Sequence, residues 1–477
     1  MGATRSSTRL GAAALLAFAG AFAVACVPAD AGYREVQKLT RSRLAEHVRW
    51  DAHDSVSATQ KETQELLSHP LTASAAVQVA LLNNQAVQAA FEELGIARAG
   101  LIQALRLPNP SLEAALRFKR STNPDIDLLA TLDLTELLFL PIRKGVANAQ
   151  LEAAQARVAG GVLDLALDVR VAFYAYQAAV QQFELRKSVL EALGTSFALA
   201  ERLHAAGNVT DLSLANEQAL YEESRIALGR AEATLAATRE ALSARMGLWG
   251  RGSTWSAEPH LPDAVATDAS LDALEQQAIE RSLDLELLRR RYEAEAKRVH
   301  LSQLRGFIPE LRAGVSVERG DREWGVGPAA SLELPLFYQG QAETGRALAE
   351  MRRARKLFAA TAVQVRASAR GTVARLRAAA GSARYYKQVL LPLRQRIVDE
   401  TQLEYNAMSV GVFQLLQAKR EQIASAAGYV DLLRDYWSLR AEVEQLAAGR
   451  LPRSMPVLSE ASGAMALEAA GNPGGGH

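Results

Sequence analysis

The side chains able to hold a metal or act as a nucleophile are few and scattered. Seven histidines stand at 47, 53, 69, 204, 260, 300 and 477, and none meets another at the three- or four-residue spacing of a helical metal site. Six methionines are dispersed, so no ladder of soft ligands forms. His477 follows Gly474-Gly475-Gly476 and reads as a tail. A single cysteine excludes an internal disulfide, a Cys-x-x-Cys redox pair and a thiolate zinc site. Gly-x-Ser-x-Gly, Walker, His-Glu-x-x-His and Gly-x-Gly-x-x-Gly patterns are absent. Paired carboxylates such as Glu222-Glu223 fall on an expected exposed helix face. The chain is read as a non-enzyme that needs no cofactor and no resident metal.

One side chain sits where covalent chemistry is expected. Arg5 and Arg9 precede fifteen apolar or small residues, Leu10 to Val24, and then Ala25-Cys26. That run is too short for a spanning helix of about 20 residues and fits a secretory signal. The ending Phe22-Ala23-Val24-Ala25-Cys26 resembles a bacterial lipobox, although Ala23 stands where leucine is commoner. Cys26 is therefore expected to be acylated as the mature N-terminus. Val27 in place of an aspartate implies delivery to the outer membrane. Removal of residues 1–25 takes away two arginines and no acid, which turns a net charge of +1 into −1. Such a chain has no global field for nucleic acid.

The remaining information lies in the elements. Only 6% of the 477 residues are aromatic and alanine is abundant, which favours long helices with thin seams. Prolines are missing from Ile142 to Glu258, and Pro392 stands alone between Leu336 and Leu451. Each long tract comes after a shorter block, and the blocks match: Pro110 with Pro309, Leu132-Asp133-Leu134 with Leu332-Glu333-Leu334, and Asp211 with Gln414. The chain thus repeats after about 200 residues. The expected division is a signal at 1–25, an extension at 26–70, repeat one at 71–250, a linker at 251–270, repeat two at 271–449 and a tail at 450–477.

Each repeat reads helix–strand–strand–helix–helix. A first helix is expected from Thr72 to Leu107. Leu112, Ala114, Leu116 and Phe118 then alternate with Glu113, Ala115, Arg117 and Lys119. The same period of two runs through 125–136, 309–319 and 323–336, marking strands of which one face is polar. In the long tracts Val162, Leu165, Val169, Phe173, Tyr176, Val180 and Phe183 recur at helical spacing. Val373, Leu376, Ala380, Ala383, Leu390, Leu393 and Ile397 echo them, with a kink expected at Pro392. Two helical hairpins result, at about 142–247 and 340–448, reversing at Gly207 and Gly411.

A membrane sheet with free edges is prohibitive, and four strands cannot close. Other copies must complete the barrel, with three giving twelve strands and an open lumen. The fold class expected is mainly α with a membrane β-barrel, continued by a helical tube.

Several short segments, twice in the same order, sharpen this reading. They are Ala80-Leu81-Leu82-Asn83-Asn84, Ala206-Gly207-Asn208-Val209-Thr210-Asp211-Leu212, Leu334-Pro335-Leu336-Phe337 and Tyr405-Asn406-Ala407-Met408-x-x-Gly411-x-Phe413. Over residues 71–449 the chain resembles the TolC-type outer-membrane efflux proteins. The resemblance implies a homotrimer in outer-membrane lipid, with a periplasmic adaptor and an inner-membrane pump as partners. It implies that the adaptor meets the hairpin ends, here Gly207, Asn208, Val209, Thr210, Asp211 and Leu212 with Met408, Ser409, Val410, Gly411, Val412, Phe413, Leu415 and Leu416. Val209, Val410, Val412 and Phe413 are expected to be exposed there. Relatives narrow the mouth with aspartates, where this chain has Gln414 and Gln417; Asp211 and Tyr405 complete the implied aperture. The Tyr405 to Phe413 segment is closest to members working with heavy-metal pumps of the resistance–nodulation–division class. A protein-secretion conduit of the same fold, or a lipid-anchored periplasmic scaffold, are the competing readings.

Overall fold

The computed structural model describes residues 32–50, 56–118, 124–249, 254–265, 271–308, 310–320, 323–333 and 336–452. Cys26 and His477 lie outside them. Helices α1 (Tyr33–Arg41) and α2 (Val56–Leu67) lead into α3 (Ala73–Asn83) and α4 (Gln85–Leu105). Strands β1 (Ser111–Arg117) and β2 (Asp125–Asp133) come next, then the long helix α5 (Thr135–Ala205) and α6 (Asp211–Arg245). The second half repeats the order with α7 (Leu271–Glu280), α8 (Leu283–Phe307), β3 (Glu310–Gly320), β4 (Glu323–Glu333) and α9 (Gln341–Tyr385). A π-helical turn (Tyr386–Leu390), α10 (Leu391–Asn406) and α11 (Val412–Ala447) complete it.

The helix expected from Thr72 to Leu107 is two helices. Thr72 caps α3 by accepting from Ala75 N at 3.2 Å. At the break, Asn84 Oδ1 accepts from Ala86 N at 2.9 Å while its amide donates to Arg245 O at 2.8 Å. Asparagine competes for the backbone through such local bonds, so it ends one helix and starts the next.

Two compact units emerge, each drawing on both repeats. The first combines Phe91–Ala154 with Glu293–Leu348 and holds the sheet. Strand order is β1-β2-β3-β4, every neighbour antiparallel. Registers such as Leu112↔Ala130, Leu128↔Val317 and Val317↔Val326 put every apolar alternation on the same side. Glu113, Arg117, Asp127, Arg312, Glu318 and Glu333 share the other side. Leu112, Leu116, Val315, Trp324, Val326 and Leu332 on the apolar side are all exposed within the chain. Gly314 is required by close approach, since a Cβ there would lie 1.9 Å from Ala130 O.

β2 ends at Asp133 and not at the expected 136. Its carboxylate accepts from Thr135 N at 2.9 Å and Glu136 N at 3.3 Å, which starts α5 early. Thr135 Oγ1 accepts from Leu311 N at 2.6 Å, and Glu136 pairs with Arg143 and Arg305. Strand and helix are thereby joined without a loop.

The second unit combines the described residues of 35–90, 155–292 and 349–452. Within it α5 packs on α6, where Phe197 stacks on Tyr221 at 5.7 Å, and on α11, where Gln182 donates to Ala427 O at 2.8 Å. Ala178, Ala383, Val430 and Leu433 bury together, as do Leu376, Ala380 and Tyr436. Alanines at these positions keep the seams thin. Pro392 is accommodated by the π turn ahead of it: a proline ring clashes with the carbonyl four residues back, and the wider turn moves that group away. The extra residue rotates α10 about its axis, so Val398 is buried while Leu393 and Ile397 of the expected stripe face outward.

The inter-repeat segment is a bound strap. Leu71 pairs with Ala257 in a short parallel bridge. Gln177 donates to Glu258 O and His260 O, Trp437 Nε1 to Pro262 O at 2.8 Å, and Tyr436 to Val265 O at 3.0 Å. Asp263 pairs with Lys387 and accepts from the Tyr429 hydroxyl at 3.0 Å. The expected tail also begins packed: Arg450 and Leu451 are held by Asp164 and Asp284. Among the described residues no helix is long and apolar enough to cross a membrane.

Candidate functional site

Both helical hairpins of the second unit close with the same pair of backbone bonds. At the first, Gly207 N donates to His204 O at 2.8 Å and Asn208 N to Leu203 O at 2.8 Å. At the second, Met408 N donates to Tyr405 O at 2.9 Å and Ser409 N to Glu404 O at 2.9 Å. This is the Schellman closure, in which the residue after the helix turns left-handed. Gly207 has φ +77° as its type allows. In the second hairpin the left-handed residue is Met408, with φ +60°, and not the expected Gly411. Gly411 is extended at φ −80°, ψ 159°, and serves as the N-cap of α11.

Lacking a side chain to cap with, Gly411 is served from within the helix: Gln414 Oε1 accepts its N–H at 2.6 Å. Thr210 caps α6 by accepting from Ser213 N at 3.2 Å. The glutamine expected at the aperture therefore has a structural task in the chain. Gln417 donates to Glu421 at 2.8 Å and accepts from Arg420 at 2.6 Å. The Gln417 amide and the Arg394 guanidinium hold the Glu421 carboxylate below its usual range. Glu421 was missed by motif reasoning, although it lies four residues after Gln417 on the same helix face.

Exposure differs from expectation at the apolar tips. Val209, Val410, Val412 and Phe413 are half-buried, as are Leu415 and Leu416. Met408 is instead 93% exposed and Leu212 71%. Tyr405 is exposed. Asp211, whose side chain is 97% exposed, has one Oδ1 at 2.6 Å from His204 Nε2, a pairing across the turn that residue spacing does not announce.

Deeper in the second unit lies a buried charge cluster. Arg450 grips Asp164 with Nε at 2.9 Å and Nη2 at 2.7 Å and also pairs with Asp284. Gln445 adds a bond to Asp164 at 3.0 Å, and Leu451 N donates to Asp284 at 3.0 Å. Burial pushes the Asp284 carboxyl up despite Arg450. For Arg450 burial acts downward, but the hydrogen bonds and charges of Asp164 and Asp284 outweigh it and raise the guanidinium further. The cluster ties the start of the C-terminal segment to α5 and α8 through charged hydrogen bonds. Among the described residues no group of three or more His, Cys, Asp or Glu could hold a metal ion.

No family model matches the chain. It is 23% identical over 396 residues, 79% of its length and 90% of the relative's, to the cobalt-zinc-cadmium resistance protein CzcC of Cupriavidus metallidurans. Among solved structures it matches the CmeC outer membrane channel of Campylobacter jejuni with a TM-score of 0.65 at 13% identity, covering 91% of this chain and 95% of that one. It matches CusC, described in terms of transmembrane channel formation, with a TM-score of 0.64 at 16% identity, covering 82% and 92%. The resemblance to TolC-type channels drawn from the short segments thus extends to the whole fold, mainly helical with one small antiparallel sheet.

Proposed function

We propose that this chain, which has the fold of the TolC-type outer-membrane channels, is the outer-membrane component of a tripartite efflux system. It acts as a passive trimeric conduit from a periplasmic adaptor and an inner-membrane pump to the exterior. The observation that carries this is the sheet. In all four strands the apolar alternation falls on one side, that side is exposed on β1 and β4 and half-buried on β2, and β1 and β4 are open edges. An apolar face suits lipid, but open edges do not survive there, so further copies must continue the ladder. Three copies give about twelve strands, with the charged side lining a wet lumen.

Heavy-metal cations are the substrate class this reading favours, because the curated relative is a cobalt-zinc-cadmium resistance protein. A pump of the resistance–nodulation–division class and its adaptor would then be the partners. Acylated Cys26 would anchor the mature chain. The hairpin ends around Gly207–Leu212 and Met408–Leu416 would receive the adaptor, and Asp211, Tyr405, Gln414 and Gln417 would lie at the mouth. A passive conduit needs no resident metal, so substrate choice rests with the pump.

Reconstitution of the full chain in planar bilayers tests the reading. The expected result is a species of three copies that conducts in discrete steps. It is expected to restore cobalt, zinc or cadmium tolerance to cells carrying the matching pump and adaptor but lacking their outer-membrane component. A monomer that leaves the membrane once its lipid is removed, and that never conducts, would overturn it.

A further inference from the structure

The helices joined to the sheet follow the order of its strands. In the first unit α4 packs on α5 through Leu101, Ala147 and Leu151. Lys297 of α8 donates to Gly145 O of α5 at 3.1 Å, and Thr344 of α9 donates to Ser302 Oγ of α8 at 3.0 Å. Since α4 leads to β1 and α9 leaves β4, these two helices are the edges of their layer, as β1 and β4 are of the sheet. Each edge helix carries a seam with no partner in the chain. On α4 it is Glu92, Ile96, Ala99 and Gln103, and on α9 it is Gly345, Ala349, Arg352, Lys356, Ala359 and Val363. All of them are exposed, Ile96 by 73% and Val363 by 68%. Spacings that alternate between three and four residues mark a helix face shaped for another helix. Arg352 and Lys356 make no hydrogen bond or ion pair among the described residues.

We propose that the α4 seam of one copy packs against the α9 seam of a second copy, with Ile96 seated on Ala349 and Glu92 held between Arg352 and Lys356. This rests on the reading that further copies continue the ladder from β4 to β1, and adds which side chains join the helices and what directs them. Continuing that ladder puts the helix leaving β4 beside the helix entering β1, and the two run antiparallel. Counted from the helix ends nearest the strands at 1.5 Å per residue, Ile96 lies about 14 Å along α4 and Ala349 about 12 Å along α9. Glu92 lies about 20 Å along, between Arg352 at about 17 Å and Lys356 at about 23 Å. Small residues at Ala99, Gly345 and Ala349 let the two helices approach closely. The charges also choose the pairing. Two α9 seams would set cation against cation and two α4 seams acid against acid, so a symmetric contact between two copies is disfavoured. Unlike faces make a head-to-tail contact, which closes a ring.

The test uses the full chain in detergent, with copy number read by native mass spectrometry. In one arm, I96C and A349C are placed on separately tagged chains made in the same cells, with wild type as the control for Cys26. Oxidation is expected to link the two kinds of chain to each other and neither kind to itself. In the other arm, E92R and the pair R352E/K356E are each expected to raise the concentration at which half the oligomer dissociates at least about tenfold, because like charges then meet at every seam. Combining all three reversals restores unlike charges and is expected to return that concentration to within about threefold of wild type. Added salt should weaken the wild-type oligomer and have the opposite effect on E92R. An oligomeric wild type that yields no mixed cross-link, or a triple variant no better than its parents, would overturn the seam and leave the channel reading standing. A wild type that stays a single copy would remove both.

Discussion

Arg450 is the residue whose removal should be felt most. Asp164 is only 2% exposed at its side chain, and Arg450 donates a charged hydrogen bond to each of its oxygens, at 2.9 and 2.7 Å, with Gln445 adding a neutral one. Asp284 pairs with the same guanidinium. Arg450→Ala strands two carboxylates next to each other, one of them deeply buried, and breaking such a buried network costs about 3–5 kcal/mol. With about 2.1 cal/mol/K of unfolding entropy per residue, the whole chain loses about 3–5 °C in Tm. Thermal unfolding of the full chain in detergent, followed by far-ultraviolet circular dichroism, reads this directly. The charge-free set Asp164→Asn, Asp284→Asn and Arg450→Met should recover most of the loss, because the penalty comes from stranded charge and not from the missing pair. The deficit of Arg450→Ala should also shrink on acidification. Burial already pushes the Asp284 carboxyl up, and without Arg450 its folded pKa stays above the unfolded one, so the native state binds more protons and stability rises as pH falls through that interval. An Arg450→Ala variant as stable as wild type, or a triple variant worse than the single one, would refute the argument.

Gly160 and Gly161 give a paired comparison on α5. A Cβ at Gly160 would lie 3.0 Å from Arg450 Nη1, whereas at Gly161 nothing stands within 4 Å. Gly161→Ala should raise stability by about 0.5–1 kcal/mol through helix propensity, while at Gly160 overpacking of about 1–3 kcal/mol cancels or reverses that gain; denaturant midpoints of the two variants decide it. The strap is expected to loosen in acid. Hydrogen bonds from Lys387 and Tyr429 hold the Asp263 carboxylate below its ordinary 3.8. A depressed folded pKa contributes stability that is present above the unfolded value and lost as pH falls through the folded one. Trp437 fluorescence, reporting its bond to Pro262 O, should change in that acid window and lose the step in Asp263→Asn. A transition identical in both proteins would count against it.

How much was legible in the sequence depends on the range of the forces involved. Strand alternation and the helical tracts are short-range patterns, so their existence and order could be read, as could the repeat that places Leu132-Asp133-Leu134 opposite Leu332-Glu333-Leu334. Errors arose where a side chain bonded across the pattern. Asp133 ended β2 early, Asn84 split a helix, and the π turn before Pro392 moved Leu393 and Ile397 to the outside. Arg450 and Asp164 are 286 residues apart, and no local signal announces such a pair. The candidate site shows the same limit in a more useful form. Motif position alone suggested that Gly207 and Gly411 turn the chain, yet the hydrogen bonds align Gly207 with Met408. Once that alignment is fixed, the repeat becomes an instrument: two copies of one backbone demand, answered by different residues. Where the answers agree with the demand, as at Gly207, the residue explains itself. Met408 does not: its Cβ meets a carbonyl oxygen in a turn that glycine takes freely, and its side chain is exposed.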